Sequence, residues 1–132
     1  MIFVDANIPM YLVGAPHPNK ETARLLIERC IADRERLVTD AEVFQEILHR
    51  YVAINRLDAI KPAFKALLGV IDEVYPVELR DTVLASKLVA EYAPWSARDA
   101  LHVAVMQRYA VRRILTFDAG FARVRWVERV RE

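Results

Sequence analysis

One cysteine and three glycines are all that the 132 residues contain of those two types. A lone thiol, Cys30, excludes a disulfide framework and a cysteine-rich zinc site. Scarce glycine, with no Ser- or Gln-rich tract and 55% apolar residues, excludes a disordered polymer. Long hydrophobic runs are missing as well, since no stretch approaches the roughly 18 apolar residues of a membrane span. The segment Met1-Ile2-Phe3-Val4 has no basic flank, is too short for the hydrophobic region of a signal peptide, and meets Asp5 at once. What remains is a soluble single domain over residues 1–132, expected in a reducing cytoplasm. Cys30 itself falls on the apolar stripe of a helical segment, where a thiol serves as core filling.

Net charge is only +1, and it has to be divided before it says anything. Residues 98–132 carry eight arginines against four acids, whereas residues 1–97 carry 11 basic and 14 acidic side chains. A basic C-terminal third is a candidate phosphate footprint. A set of solvated faces in a chain that prefers Arg to Lys, 15 to 4, explains it equally well.

Short apolar runs alternate with helical periodicities. Strands are expected over residues 1–5, 36–39 and 113–117, with a weak edge strand over 74–77, whose Pro76 cannot donate to a ladder, and a last one at 126–127. Helices are expected from Asn7 to residue 12, from 20 to about 33, from the Asp40 cap to about 54, and over 58–71, 80–92 and 97–109. The segment 97–109 is apolar almost all round, as in a helix packed deep against a sheet. Alternation with short connections predicts an α/β architecture: a parallel sheet of about five short strands with helices on both faces.

Two carboxylates, Asp5 and Asp118, each close a strand-like run, and side chains past the carboxyl ends of parallel strands gather in one crevice. Two more, Glu46 and Asp99, belong to helices near those ends. Each has an ordinary alternative. Asp5 or Asn7 can cap the helix that follows. Glu46 can be a solvated residue one turn from Glu42, itself suited to a helix N-terminus. Asp99 completes an S-x-x-D capping pattern with Ser96, and Asp118 can cap the turn before Phe121. Four such coincidences in one crevice are harder to accept than one common cause. Carboxylates a few ångströms apart repel by roughly 4 kcal/mol per pair at an effective dielectric near 20. Lysine, the usual neutraliser, is absent from all four segments. A divalent cation resolves the crowding, and hard oxygen donors suit Mg²⁺ or Mn²⁺. Thr116 orients Asp118 or a metal-bound water, or is simply β-favouring. His102 and His49 follow Asp99 and Glu46 by about one turn and either line the crevice or are merely packed; His17 lies in a loop.

Val4-Asp5-Ala6-Asn7, Glu46-Ile47-Leu48, Asp99-Ala100-Leu101-His102 and Thr116-Phe117-Asp118-Ala119-Gly120-Phe121 occur in this order across nearly the whole chain. In this the chain resembles the PIN-domain family, in particular the small toxins of prokaryotic VapBC toxin–antitoxin pairs. The resemblance implies a Rossmann-like sheet and a Mg²⁺- or Mn²⁺-dependent ribonuclease. It implies metal ligands at Asp5, Glu46, Asp99 and Asp118, with Asn7 and Thr116 in support and Glu46 preferred to Glu42. The expected reaction is hydrolysis of an RNA phosphodiester by metal-activated water, with Arg98, Arg112 and Arg123 meeting phosphates. The expected partners are RNA, a cognate antitoxin and a second copy of the chain, joined through the apolar helices between residues 40 and 71. Two rivals stand beside this reading. One is a non-catalytic or RNA-processing nucleic-acid-binding module on the same fold. The other is a haloacid-dehalogenase-type phosphohydrolase, whose D-x-D element would need an acid where Asn7 stands.

Overall fold

In the computed structural model, which describes residues 1–131, short strands and helices alternate as the periodicities require. The strands are β1 (Ile2–Val4), β2 (Leu37–Asp40), β3 (Glu73–Tyr75), β4 (Arg113–Leu115) and β5 (Glu128–Arg129). The helices are α1 (Asn7–Val13), α2 (Pro18–Ala32), α3 (Ala41–Ala53), α4 (Ile60–Leu68), α5 (Leu79–Glu91) and α6 (Ala97–Arg108), with 3₁₀ turns at Leu57–Ala59 and Ala119–Arg123. All four strand pairings are parallel and the sheet order is β3-β2-β1-β4-β5. The chain therefore steps outward from β1 to β3, crosses back over β1, and steps outward again through β4 and β5. Right-handed crossovers in opposite directions put α1–α4 on one face of the sheet and α5–α6 on the other.

Burial on both faces explains the composition of the centre. Phe3 and Val4 of β1 and Ile114 and Leu115 of β4 are completely buried, so these strands read as unbroken apolar runs. In α6, Ala100 and the run from His102 to Met106 are buried, with His102 packed against the Phe3 ring at a centroid distance of 5.4 Å. Cys30 is buried on α2, as its position on the apolar stripe predicts. No helix among the described residues is long and apolar enough to cross a membrane. The direction of chain travel reverses between β1 and β4. Their carboxyl ends therefore form the switch point of an open sheet, where ligand crevices arise.

Several boundaries differ from the sequence expectation, each for a local reason. Helix α2 starts at Pro18 because His17 Nδ1 accepts the Asn19 N–H (3.0 Å) and proline suits the first helical position. The expected helix over 58–71 is a 3₁₀ turn followed by a shorter helix. Past Gly69 the chain turns onto the sheet, where Asp72 N–H donates to the Leu37 carbonyl (2.8 Å). Strand β3 stops before Pro76, at the sheet edge as expected. Strand β4 stops at Leu115, since the Phe117 N–H donates to Asn7 Oδ1 and not to a ladder (3.3 Å). The last strand is 128–129 and not 126–127. Val127 N–H is tied to the Val124 carbonyl, and laddering begins with Glu128 N–H on the Arg112 carbonyl (2.8 Å).

Candidate active site

At the switch point, hydrogen bonds stitch the ends of β1 and β4 together around Asp5, which is 3% exposed. Asp5 Oδ1 accepts the Ala6 N–H (2.8 Å), and Oδ2 accepts the Thr116 hydroxyl (2.7 Å) and the Asn7 amide (3.4 Å). Thr116 Oγ1 in turn accepts the Asn7 amide (3.1 Å) and the Asp118 N–H (3.0 Å). With one proton donated and both lone pairs used, the hydroxyl has a single orientation. Thr116 therefore orients Asp5, not the Asp118 carboxylate. Neither Asp5 nor Asn7 caps α1, whose N-terminus carries no side-chain cap. Burial pushes the Asp5 carboxyl above its ordinary range and the Glu46 charge adds to this, while His102 and the donated hydrogen bonds act against it.

Helices α3 and α6 bring the other acids. Asp5, Asn7, Glu46, Asp99 and Asp118 share the wall of one open cleft of ≈ 540 Å³, with His17 on its margin. Asp99 stands in the first turn of α6, where its N–H donates to Ser96 Oγ (3.3 Å) but its carboxylate closes no capping box. Asp118 does cap: its Oδ1 accepts the Gly120 N–H (2.7 Å) while the residue lines the cleft. Glu42 is not on that wall. It pairs with Arg98 (Nε to Oε1, 3.2 Å), whose guanidinium also donates to Gln45. Glu46 faces His102 Nε2 (3.3 Å), and His102 Nδ1 faces Asp40 Oδ2 (2.9 Å). The two glutamates thus have separate cationic partners, so their spacing does not by itself demand a metal.

His102 is the residue that sequence reasoning undervalued. Its ring is completely buried between carboxylates that can only accept, so both nitrogens must donate. Burial alone would depress its pKa. The Asp40 charge, the hydrogen bonds to Asp40 and Glu46, and the nearby Asp5 charge outweigh that and hold it well above the ordinary histidine value. The signal was present in Asp99-x-x-His102, but Asp40 read only as a helix cap. His49 is exposed and away from the cleft.

The basic third is largely used by the fold. Arg108 pairs with Asp81, Arg113 with Glu35, and Arg112 Nε donates to the Trp126 carbonyl (3.0 Å). Arg112 precedes β4 at the amino edge of the sheet, opposite the cleft, and so cannot meet a phosphate held there. Arg123, in the turn after Asp118, donates to the Pro94 carbonyl.

The electrostatics of the cleft favour a cation. Burial, then the Asp5 charge and the adjacent Asp118 carboxyl, push Asp99 up from 3.8 to about 7. His102 supplies one internal positive charge, which leaves Asp5, Asp99 and Asp118 crowded together. Atoms of Asp5, Glu46 and His102 lie within 4.8 Å of one another. Hard oxygen donors in such excess fit Mg²⁺ or Mn²⁺. A pH effect follows. Because the folded pKa of Asp99 is raised, the stability conferred by its proton is complete below the ordinary value and is lost as pH rises through about 7. A cation competes with that proton. The increase in melting temperature caused by Mn²⁺ is therefore expected to be larger at ~pH 8 than at ~pH 6, as thermal melts with and without the ion will show.

A parallel five-stranded sheet with acids collected at its switch point defines an α/β protein with a carboxylate-lined cleft. The chain belongs to the PIN-domain family, whose model matches residues 2–127. It is 57% identical over 121 residues to ribonuclease VapC13 of Mycobacterium tuberculosis, covering 92% of each chain. Its fold is similar to that of Mycobacterium tuberculosis VapC20, described as a sarcin–ricin loop cleaving toxin: TM-score 0.75, 23% identity, 92% and 93% of the two chains. It is also similar to VapBC2 from Rickettsia felis, solved bound to a DNA fragment from its promoter: TM-score 0.71, 14% identity, 98% of each chain.

Proposed function

We propose that this chain is a Mg²⁺- or Mn²⁺-dependent endoribonuclease and the toxin of a VapBC-type pair. The observation that carries this reading is the convergence of Asp5, Glu46, Asp99 and Asp118 on one cleft at the sheet's switch point. The 57% identity to a protein named as a VapC ribonuclease supports it. Asp5, Glu46 and Asp99 would hold the main ion, with Asp118 completing that site or a second one. When bound, the cation activates water and offsets the charge of the phosphodiester. Asn7 and Thr116 keep Asp5 in a single orientation, through the hydrogen bonds that join β1 to β4. Asp99 gives up its proton to take part. Arg98 on the α6 side and Arg123 beyond Asp118 would meet the RNA backbone once released from their present partners, alongside Arg50 on the cleft wall.

The same reading includes a cytoplasmic setting, a cognate antitoxin that neutralises the acids, and a homodimer. Exposed Leu48 and Val52 on α3, with Ile54 and Leu57 just beyond it, form the kind of apolar surface that a second copy covers. The direct test is cleavage of end-labelled single-stranded and structured RNAs in Mg²⁺ or Mn²⁺. The expected result is cleavage that EDTA abolishes and added metal restores. RNA binding that ignores EDTA, with no cleavage under any condition, would instead mean a binding module on the same fold.

A further inference from the structure

Asp40 and His102 have no part in the chemistry just described, yet both are completely buried beside it. Asp40 divides its two oxygens. Oδ1 accepts the Val43 N–H (2.9 Å) and caps α3, while Oδ2 meets His102 Nδ1 (2.9 Å). The other ring nitrogen meets Glu46 Oε1 (3.3 Å). His102 is completely buried and both of its ring nitrogens are taken by Asp40 and Glu46, so it has no lone pair to offer an ion. Its ring cannot turn away, since it is packed against Phe3 and carried by the most deeply buried helix. Glu46, by contrast, is a long side chain, 26% exposed, on the cleft wall. Without a fixed partner it would sample several rotamers.

We propose that Asp40 and His102 are positioning residues: Asp40 fixes the His102 ring, and the ring fixes Glu46 Oε1 beside Asp5, leaving the second Glu46 oxygen for the cation. This inference rests on the metal-binding reading of the cleft. It follows the general behaviour of metal sites, in which hydrogen-bonded partners behind the ligands set ligand orientation. It also explains why a helix cap is completely buried in contact with a histidine when an exposed Ser or Thr would cap equally well.

The experiment measures Mn²⁺ affinity by titration calorimetry, the Mn²⁺ dependence of RNA cleavage, and melting temperature for the wild type and four variants. Asp40→Asn keeps the cap, because Asn caps helices as well as Asp, but removes the carboxylate behind His102. It is expected to melt below the wild type, since one amide oxygen cannot serve both Val43 and His102, but in addition to bind Mn²⁺ roughly 10- to 100-fold more weakly and to lose cleavage that excess Mn²⁺ restores. His102→Gln keeps one donor toward Glu46 and should lie between the wild type and His102→Leu in Mn²⁺ affinity. Asp5→Asn is the control that removes a ligand. Wild-type Mn²⁺ affinity in both Asp40→Asn and His102→Leu, alongside loss in Asp5→Asn, overturns the positioning role alone. A fall in melting temperature with no change in the Mn²⁺ midpoint overturns it too, since a merely structural role predicts that. If the wild type shows no Mn²⁺ binding that Asp5→Asn removes, the metal reading fails and takes this inference with it.

Discussion

Asp99→Asn is expected to lower the rate of RNA cleavage by on the order of 10²–10³-fold while making the metal-free protein more stable. The two effects have one cause. Asp99 is held at about 7 because burial and the charges of Asp5 and Asp118 oppose its ionised form. At ~pH 8 the wild type must carry that charge without compensation, and the amide does not. Allowing for screening by water in the open cleft, the gain is about 1–2 kcal/mol, equivalent to a few degrees in Tm. Its sign fixes its pH dependence. The variant and wild type should melt together well below the ordinary carboxylate range, diverge as pH rises, and reach a constant difference above about 7. Mn²⁺ should then reverse the order, stabilising the wild type more than the variant. The measurements are end-labelled RNA cleavage and paired melts across pH. Wild-type cleavage by the variant would remove Asp99 from the mechanism, and a lower melting temperature in metal-free buffer would show that it serves mainly as structure.

Much of the frame was legible in residues 1–5, 36–40 and 97–118 because there local pattern and tertiary role agree. An apolar triplet ending in Asp, a capped amphipathic helix and an all-round apolar helix each have one comfortable place in a parallel sheet. What was not legible depends on which strands become neighbours. Thr116 finds Asp5 only because Val4 stands in register with Leu115, a pairing across more than a hundred residues. His102 becomes a bridge only because α6 packs over β1 while β2, beside it, ends in Asp40. Where lysine is missing, His102 and Arg98 supply the counter-charges, the latter reaching Glu42 across two helices. The last strand was misplaced because Trp126 and Val127 look more β-like than Glu128 and Arg129, whereas backbone pairing to Arg112 and Ile114 decides the register.

The arginine-rich third shows the same division between pattern and context, and Arg108→Ala measures it. Arg108 grips Asp81 with two parallel bonds, Nε to Oδ1 and Nη2 to Oδ2, both 2.8 Å. It also donates to the Tyr109 hydroxyl and the Pro76 carbonyl (2.8 and 2.6 Å). Its guanidinium lies 4.4 Å from the Tyr109 ring centre, and that ring stacks on Tyr75. One side chain thus ties the edge strand β3, the start of α5 and the end of α6. Asp81, 2% exposed, also accepts the Glu78 N–H in the capping box of α5. Burial pushes its carboxyl up, but the Arg108 pair and the backbone bond overcome this and hold it below the ordinary value. Truncation to Ala leaves a buried carboxylate without its cation, which costs roughly 3 kcal/mol and about 10 °C of melting temperature. In the wild type the stabilisation from this pair is present above the ordinary carboxylate pKa and fades as pH falls below it. In the variant the deficit should be greatest at neutral pH and shrink in acid, once the unpaired carboxyl can take a proton. Arg108→Lys, with the charge but no planar fork, should fall between the two. The end of α6 lies nine residues, ~13 Å along the axis, from Asp99, so cleavage per folded molecule at low temperature should stay near wild type. If RNA affinity and its salt dependence fell instead while the melting temperature held, Arg108 would belong to a phosphate footprint and not to the fold.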